Sequence, residues 1–363
     1  MNVFNTLKEL NSCFGPSGCE GEVRDKIAQI ARPFADEIRT DTMGNLIVVK
    51  KAASKGKSGA DSCACASDAA PQEAPRLMFA AHMDSLGMIV TYIEDSGLLR
   101  FSAVGYVLAE NIVACPVRFK NGTVGTVGMD EDSKKPEIDK MFIDIGASDR
   151  EEAEKLVKCG DIAIYYTPCR MLAAPGKAGT KGKAGKGRVV SPYVDNRAGC
   201  AAQLVALEKL KKPVFDCYFV FTVQEEVGRR GAKPAAFGID PQYGIVCDCT
   251  LTDDIPWTKH TGTSKLGGGA SIKVMDKSVI CHPEMVAALK TVAEKKRIPF
   301  QTDVLTWGGT DGSEIRKNAS GVFTGGVSVS CRYVHTPQEV CSISDIEAAG
   351  KLMAAFAETK PVF

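Results

Sequence analysis

The residues best suited to chemistry lie in five short segments, each of which ends an apolar run. They are His82 with Asp84, Asp195, Glu225 with Glu226, Asp248, and His335. Imidazole nitrogens combined with carboxylate oxygens form the ligand set expected for zinc, cobalt or manganese. In open α/β sheets, ligands gather at the carboxyl ends of the strands, so these segments would bring their side chains to one edge. The pattern therefore predicts a metal site assembled from distant parts of the chain.

Each segment has a simpler structural explanation when it is taken alone. A single aspartate at a strand end commonly caps a helix, and the pair Glu225-Glu226 would normally begin a solvated helix. A single histidine is more often a satisfied polar residue than a ligand. The occurrence of all five segments in one chain favours the metal site.

After residue 188, predicted strands and helices alternate along the chain, and they would place the candidate ligands. Apolar periodicity predicts strands at 215–223, 245–249, 270–274 and 327–334, and helices at 195–212, 283–296 and 344–359. This alternation is typical of an α/β sandwich, in which helices flank a central mixed sheet. Residues 92–167 instead contain short β-type segments separated by turn residues. We therefore predict a catalytic α/β domain over 1–91 and 188–363, with an inserted small β-rich domain over 92–187.

Two low-complexity segments do not fit this periodic pattern. Residues 52–75 are rich in Ala, Ser, Gly, Asp and Lys, which predicts a surface loop, and we interpret Cys63 and Cys65 as part of that loop rather than as a metal site. Residues 176–187 read GKAGTKGKAGKG and lack the spacing of a phosphate-binding loop. We predict a flexible connector there.

Composition excludes several other classes of protein. The 363 residues are 44% hydrophobic and 25% charged, with a net charge of +1, so no global field favours nucleic acid or an anionic membrane. No apolar run reaches the length of a membrane span, and Met1–Phe14 does not resemble a signal peptide. Fourteen cysteines are too few for a disulfide scaffold of this length, and several lie singly in apolar runs. The sequence predicts a cytoplasmic protein.

The chain resembles the M42 peptidases, the group of glutamyl aminopeptidases and tetrahedral aminopeptidases. The resemblance extends over nearly the whole chain. It is carried by FGPSGCEGEVRD (14–25), DTMGNLIVVK (41–50), AAHMDSLGMIV (80–90), VDNRAGCA (194–201), TVQEEVGRRGA (222–232), GGTDG (308–312) and RYVHTPQEV (332–340). The family usually has Glu where this chain has Ser85, a position that is not a ligand. The resemblance implies a di-metal exopeptidase fold.

The same resemblance implies a role for each residue of the predicted site. It implies two divalent ions per subunit, with zinc as our first choice and cobalt or manganese as alternatives. The first ion would be bound by His82, Asp195 and Asp248, and the second by Asp195, Glu226 and His335. Asp195 would bridge the ions, because each oxygen of a carboxylate can bind one cation. Asp84 would orient His82, and Glu225 would act as general base on a water that bridges the two metals and attacks the first peptide bond.

The implied substrate is a peptide with a free N-terminus, and the implied partner is a second copy of the chain. In the family, the β-rich insertion pairs protomers into dimers and six dimers close into a dodecamer, so we expect that assembly, with a plain dimer as the alternative. A related hydrolase of the same metal class, either a carboxypeptidase or a deacylase, is the competing enzymatic interpretation. A non-catalytic binding protein on the same scaffold is the other. We expect His260 and His282 not to be ligands, and Cys247 and Cys249 to be packing residues.

Overall fold

The structure is a computed structural model that describes residues 1–53, 73–172, 187–256 and 262–360. Three predicted features lie outside the described residues. These are the 54–72 part of the predicted surface loop with Cys63 and Cys65, the connector up to residue 186, and His260.

The described residues form eight α-helices and three short 3-10 helices. The α-helices are α1 (Val3–Ser12), α2 (Gly21–Ala31), α3 (Arg150–Leu156), α4 (Val194–Lys209), α5 (Ala232–Ile239), α6 (Pro283–Lys296), α7 (Gly312–Ile315) and α8 (Ile343–Ala357). The 3-10 helices are Arg32–Phe34, Ala109–Asn111 and Ile138–Lys140. None of the helices in these ranges combines the length and the apolar character needed to cross a membrane.

Twelve strands form one large mixed sheet. They are β1 (Glu37–Thr40), β2 (Leu46–Lys50), β3 (Arg76–His82), β10 (Arg170–Met171), β11 (Arg188–Ser191), β12 (Asp216–Thr222), β13 (Tyr243–Val246), β14 (Cys249–Leu251), β15 (Ala270–Met275), β16 (Phe300–Val304), β17 (Phe323–Arg332) and β18 (Glu339–Ser342). The main path runs β1-β2-β12-β3-β13-β17-β18-β11-β10, while β14 and β15 pair with β17, and β16 pairs with β15. Within this path, β12, β3, β13 and β17 are consecutive parallel neighbours.

Six further strands close into a small barrel between β3 and β10. They are β4 (Gly87–Ile93), β5 (Leu99–Val104), β6 (Pro116–Phe119), β7 (Val124–Met129), β8 (Met141–Asp144) and β9 (Ile162–Tyr165), in the order β4-β5-β8-β7-β6-β9. The barrel has its own apolar core, which includes Val117, Phe119 and Ile143. Two residues from outside the barrel, Phe14 and Tyr193, pack into this core and connect it to the main sheet.

The central strands are buried on both faces, which explains why their sequences are continuously apolar. On β3, Leu77 and Phe79 pack into the large core beneath α1, α2, α4, α6 and α8. Met78, which points to the other face, packs with α5. Phe79 stacks on Phe219 of the neighbouring β12, with ring centroids 4.8 Å apart. The result is a sheet between two helical layers, as the sequence predicted.

The predicted elements of the second half of the chain are present, with shifts at their ends, except that the predicted strand 245–249 is divided between β13 and β14. Helix α6 has the predicted bounds, and α8 is two residues shorter than predicted at its C-terminal end. The predicted strand 327–334 begins earlier, at Phe323, and ends at Arg332. The division of the chain into domains at residues 92 and 187 stays a prediction. The first barrel strand, Gly87–Ile93, crosses the first of these positions.

Candidate metal centre

The five predicted segments meet at one edge of the large sheet. His82 is the last residue of β3, Glu225 and Glu226 follow β12, and Asp248 follows β13. Because β12, β3 and β13 are parallel neighbours, their carboxyl ends lie side by side. His335 lies in the turn after β17, and Asp195 lies at the start of α4, directly after β11. The expected meeting of these residues at strand ends is thus present in the structure.

The side chains of these residues form two clusters that share Asp195. His82 Nε2 is 3.2 Å from Asp195 Oδ1 and 3.5 Å from Asp248 Oδ1. His335 Nε2 is 3.6 Å from Asp195 Oδ2 and 3.4 Å from Glu226 Oε2. In each cluster, one ligand atom from every residue lies within 4.8 Å of the others. The two oxygens of Asp195 therefore face different histidines, a geometry in which one carboxylate can contact two cations.

The electrostatics of this edge fit a cation. Burial raises the pKa of Glu226 to about 7, and burial also raises the pKa of Glu225 well above its usual range. Although burial disfavours its charged form, the carboxylates of Glu226 and Asp195 raise the pKa of His335 to about 10. Glu226 Oε1 is buried and accepts no hydrogen bond from the described residues. Carboxylates that are buried together are costly unless cations pair with them, and this donor set suits zinc, cobalt or manganese.

Asp84 holds several parts of the centre in place. Its Oδ1 lies 3.4 Å from His82 Nδ1 and accepts a hydrogen bond from the backbone N–H of Glu225 at 3.0 Å. Its Oδ2 accepts from the N–H of Glu226 at 3.2 Å and from the hydroxyl of Ser17 at 2.6 Å. Ser17 belongs to the Gly-Pro-Ser-Gly turn near the N-terminus. The contact with His82 was expected, whereas the contacts with Ser17 and with the two backbone amides were not.

A second buried carboxylate, Glu339, contacts the other half of the centre. Its Oε2 accepts from the backbone N–H of Asp195 at 2.8 Å, and its Oε1 accepts from the N–H of His335 at 2.7 Å. The sequence analysis assigned no role to Glu339, although it lies in the quoted RYVHTPQEV segment. Both contacts are with backbone groups, so no pattern of side chains along the sequence identifies them.

The clusters line a pocket of about 250 Å³ with a largely apolar remaining wall. Leu251, Leu305 and Trp307 form part of that wall, and Glu225 lines the pocket without belonging to either cluster. Tyr106, from the chain that follows β5, lies edge-on to Trp307 with ring centroids 6.0 Å apart. Its ring is also 6.0 Å from that of His335. No role was predicted from the sequence for Tyr106 or for Trp307.

The remaining predicted non-ligands belong to neither cluster. His282 caps α6, with its Nδ1 accepting from the N–H of Glu284. Cys247 is fully buried. Cys249 is also largely buried, with its sulfur 3.4 Å from the carbonyl of Val194, but it contributes to the pocket wall as well.

A layered mixed sheet with an attached barrel, and with histidine and carboxylate clusters in a pocket at its strand ends, fits the class of metal-dependent hydrolases. The chain belongs to the M42 glutamyl aminopeptidase family, whose sequence profile matches residues 63–352. The predicted family, fold class and enzymatic class are therefore confirmed, and the protein hydrolyses peptides as an aminopeptidase.

Individual relatives match over almost the whole chain. A protein of Acetivibrio thermocellus is 44% identical over 97% of this chain and 97% of its own length. The solved aminopeptidase of Desulfurococcus kamchatkensis matches with a TM-score of 0.87 and 35% identity, covering 99% of this chain and 95% of its own. The TET1 peptidase of Pyrococcus horikoshii, described as able to assemble into a tetrahedron or a large octahedral shell, matches with a TM-score of 0.80 and 30% identity. That match covers 98% of this chain and 99% of the other.

Proposed function

We propose that this aminopeptidase binds two divalent metal ions per subunit and removes residues from the free N-terminus of peptides. His82, Asp195 and Asp248 would bind one ion, and Asp195, Glu226 and His335 the other. The observation that carries the proposal is the position of Asp195, whose two oxygens lie 3.2 Å and 3.6 Å from the two histidines. Zinc is our first choice, with cobalt or manganese as alternatives, because this mixed nitrogen and oxygen donor set suits all three.

The residues around the ions would have different roles in hydrolysis. When bound, the ions would supply Lewis acidity for the scissile carbonyl and for the activation of water. Glu225 lines the pocket outside both clusters, so its carboxylate is free to accept a proton from the attacking water and to pass it to the leaving amine. Asp84 would keep His82 oriented and would fix the Glu225-Glu226 turn through its contacts with both backbone amides.

The pocket wall supports a preference for substrates with an apolar N-terminal side chain. Outside the two clusters and Glu225, the wall formed by the described residues has no charged side chain. Leu251, Leu305 and Trp307 would instead contact a side chain of the leucine or methionine type. A charged glutamyl or lysyl side chain would lose its hydration there without gaining a partner.

We also propose that the protein works as a homo-oligomer in the cytoplasm, a dodecamer built from dimers, with a plain dimer as the alternative. The 30% identical P. horikoshii peptidase, which can assemble into a tetrahedron, supports the larger assembly. In the barrel region, Tyr92, Val113, Val124, Leu156 and Tyr166 are exposed apolar or aromatic side chains, which partner copies would cover. Every cysteine in the described ranges is a free thiol, as expected in a reducing compartment.

One experiment tests the function against its competitors. The purified protein is analysed for metal and is then assayed on leucyl p-nitroanilide and on its N-acetylated form, before and after chelation. We expect two ions per chain, activity on the free amine alone, and loss of that activity with the metal. Preference for the N-acetylated substrate would favour a deacylase, and a metal-loaded protein that is inactive on both substrates would exclude the aminopeptidase function.

A further inference from the structure

Glu339 connects two ligand residues that come from different strands. It is the first residue of β18, and its side chain is buried, with only 3% of the residue exposed. Strand β18 lies between β17 and β11 in the sheet. The chain that leaves β17 leads to His335, and the chain that leaves β11 leads to Asp195. Glu339 is therefore placed where one side chain can reach both segments.

Both oxygens of Glu339 are used in these contacts. Oε1 accepts from the backbone N–H of His335 at 2.7 Å, and Oε2 accepts from the backbone N–H of Asp195 at 2.8 Å. Both distances lie within the range of well-formed N–H···O hydrogen bonds. The two bonds fix the distance between the backbones of two ligands in the same cluster.

One of the two backbones that Glu339 contacts has a conformation that needs external support. His335 has a φ of 65°, in the left-handed region that a residue with a side chain rarely adopts. A non-glycine residue in the left-handed region is strained and persists only where its surroundings hold it. The bond from Glu339 supplies such a restraint directly at the His335 amide.

We propose that Glu339 is a positioning residue of the metal centre, which holds Asp195 and His335 at the separation that the Asp195–Glu226–His335 cluster requires. The inference rests on the proposed two-ion function. Asp84 plays the corresponding part for His82 and the Glu225-Glu226 turn. Glu339 contacts two residues of the Asp195–Glu226–His335 cluster. It contacts only Asp195 of the other cluster, which also contains His82 and Asp248. Its loss therefore affects the Asp195–Glu226–His335 cluster more strongly.

Glu339→Gln is the substitution that tests this role with the least change in shape. A glutamine side chain has one carbonyl oxygen and one NH₂ group, so it can accept from only one of the two amides. Its NH₂ group would face the other N–H, and one ligand would lose its restraint.

The test is a calorimetric titration of the metal-free protein with Co²⁺ alone. We expect two bound ions in the wild type, and one of them bound about 10–100-fold more weakly in Glu339→Gln. Peptidase activity of the variant should recover as Co²⁺ is raised, with KM for the peptide unchanged. A merely structural role would not weaken one ion selectively or allow rescue by metal.

Asp345→Asn is the matched control. Asp345 is also a fully buried carboxylate that accepts from two backbone amides, those of Gly267 at 2.7 Å and Gly269 at 3.0 Å, and it belongs to neither cluster. The Asp345→Asn variant should bind both ions with wild-type affinity. If Glu339→Gln does not fold, Glu339→Asp replaces it, because a side chain one methylene shorter cannot reach both amides.

Three results would contradict the inference. Wild-type Co²⁺ affinity at both sites in the Glu339 variants would overturn it while leaving the two-ion function intact. Equal loss of affinity in Asp345→Asn would show that damage to any buried carboxylate has this effect. A wild-type protein that binds fewer than two ions would overturn the two-ion function and the inference with it.

Discussion

Glu225 and Glu226 are adjacent in the chain, yet the structure gives them different surroundings. Glu226 lies 3.4 Å from His335 Nε2 and belongs to a cluster of possible ligands, whereas Glu225 lines the pocket outside both clusters. The turn between β12 and these residues contains Gln224 at φ 55°, which redirects the chain after the strand. Two neighbouring carboxylates are thereby available for two tasks, proton transfer and metal binding.

This difference gives a prediction for the base. Glu225→Gln removes the proton acceptor while keeping the size of the side chain, so turnover should fall by about 10²–10⁴-fold. Its metal content should stay at the wild-type value, as measured by elemental analysis beside the kinetics. Glu226→Gln is the matched neighbour and should lose metal. Near-normal turnover in Glu225→Gln would exclude Glu225 as the base.

A second prediction concerns the shared carboxylate. Asp195→Ala removes a ligand from both clusters, so we expect loss of metal from both sites. Asp248→Ala removes a ligand from one cluster and should leave about one ion per chain. Elemental analysis after gel filtration measures both variants. Two ions still bound to Asp195→Ala would contradict the bridging role.

Among the individual elements, the strands of the sheet position the two clusters, whereas loops form much of the remaining pocket wall. Thr310, at the end of the loop that carries Trp307, donates from its hydroxyl to Asp276 at 3.0 Å. Tyr106 approaches Trp307 from the chain after β5. The wall thus depends on two segments that are distant in the sequence.

The wall gives a prediction for specificity. Trp307→Ala removes a large apolar surface, so kcat/KM for leucyl p-nitroanilide should fall by about tenfold or more, with a smaller effect on alanyl p-nitroanilide. Phe237→Ala, an exposed aromatic on α5 outside the pocket, is the control and should leave both values unchanged. A wild-type enzyme that prefers glutamyl or lysyl substrates would refute the apolar preference.

A buried ion pair connects two strands near this wall. Lys273 on β15 donates to Asp303 on β16 at 2.7 Å, and both side chains are fully buried. Lys273→Met would leave Asp303 as an unpaired buried charge, so the free energy of unfolding should fall by about 3–5 kcal/mol in urea denaturation. The double variant Lys273→Met with Asp303→Leu should lower the free energy of unfolding by less than Lys273→Met alone. A single variant as stable as the wild type would contradict this account.

In the molecule as a whole, the barrel region contributes Tyr106 to the pocket, and its other described residues do not line it. Its strands are short and close on themselves, so it leaves no open edge of its own sheet. Its exposed apolar side chains, such as Val124 and Tyr92, are the features that remain for contacts with other copies.

The prediction for assembly follows from these side chains. Light scattering should give a mass near twelve chains of 38.7 kDa each, and Val124→Glu should reduce it, because a charge in an apolar interface is costly. Lys134→Glu, an exposed change elsewhere in the barrel region, is the control. A stable mass of two chains would leave only the dimer, and a mass of one chain at every concentration would exclude assembly.

The class of fold and the residue types of the candidate centre could be predicted from the amino-acid sequence. Strands such as β3 and β12 are continuously apolar because both of their faces are buried. A continuous apolar run of this length can be recognised in the sequence, so these strands could be predicted. His82, Asp248 and His335 could be selected because each lies at or just after the end of such a strand, and parallel strands bring their ends together. Helix α6, with proline at its first position, had bounds that local signals alone could predict.

The contacts that hold the centre, and the residues around it, depend on how distant segments pack together. Ser17 contacts the distant Asp84, and Glu339 joins His335, four residues before it, to the distant Asp195. Glu339 contacts backbone amides, which every residue has, so no spacing of side chains reveals it. Tyr106 and Trp307 meet because two loops that are distant in the sequence converge, and loop conformation depends on long-range packing rather than on local periodicity.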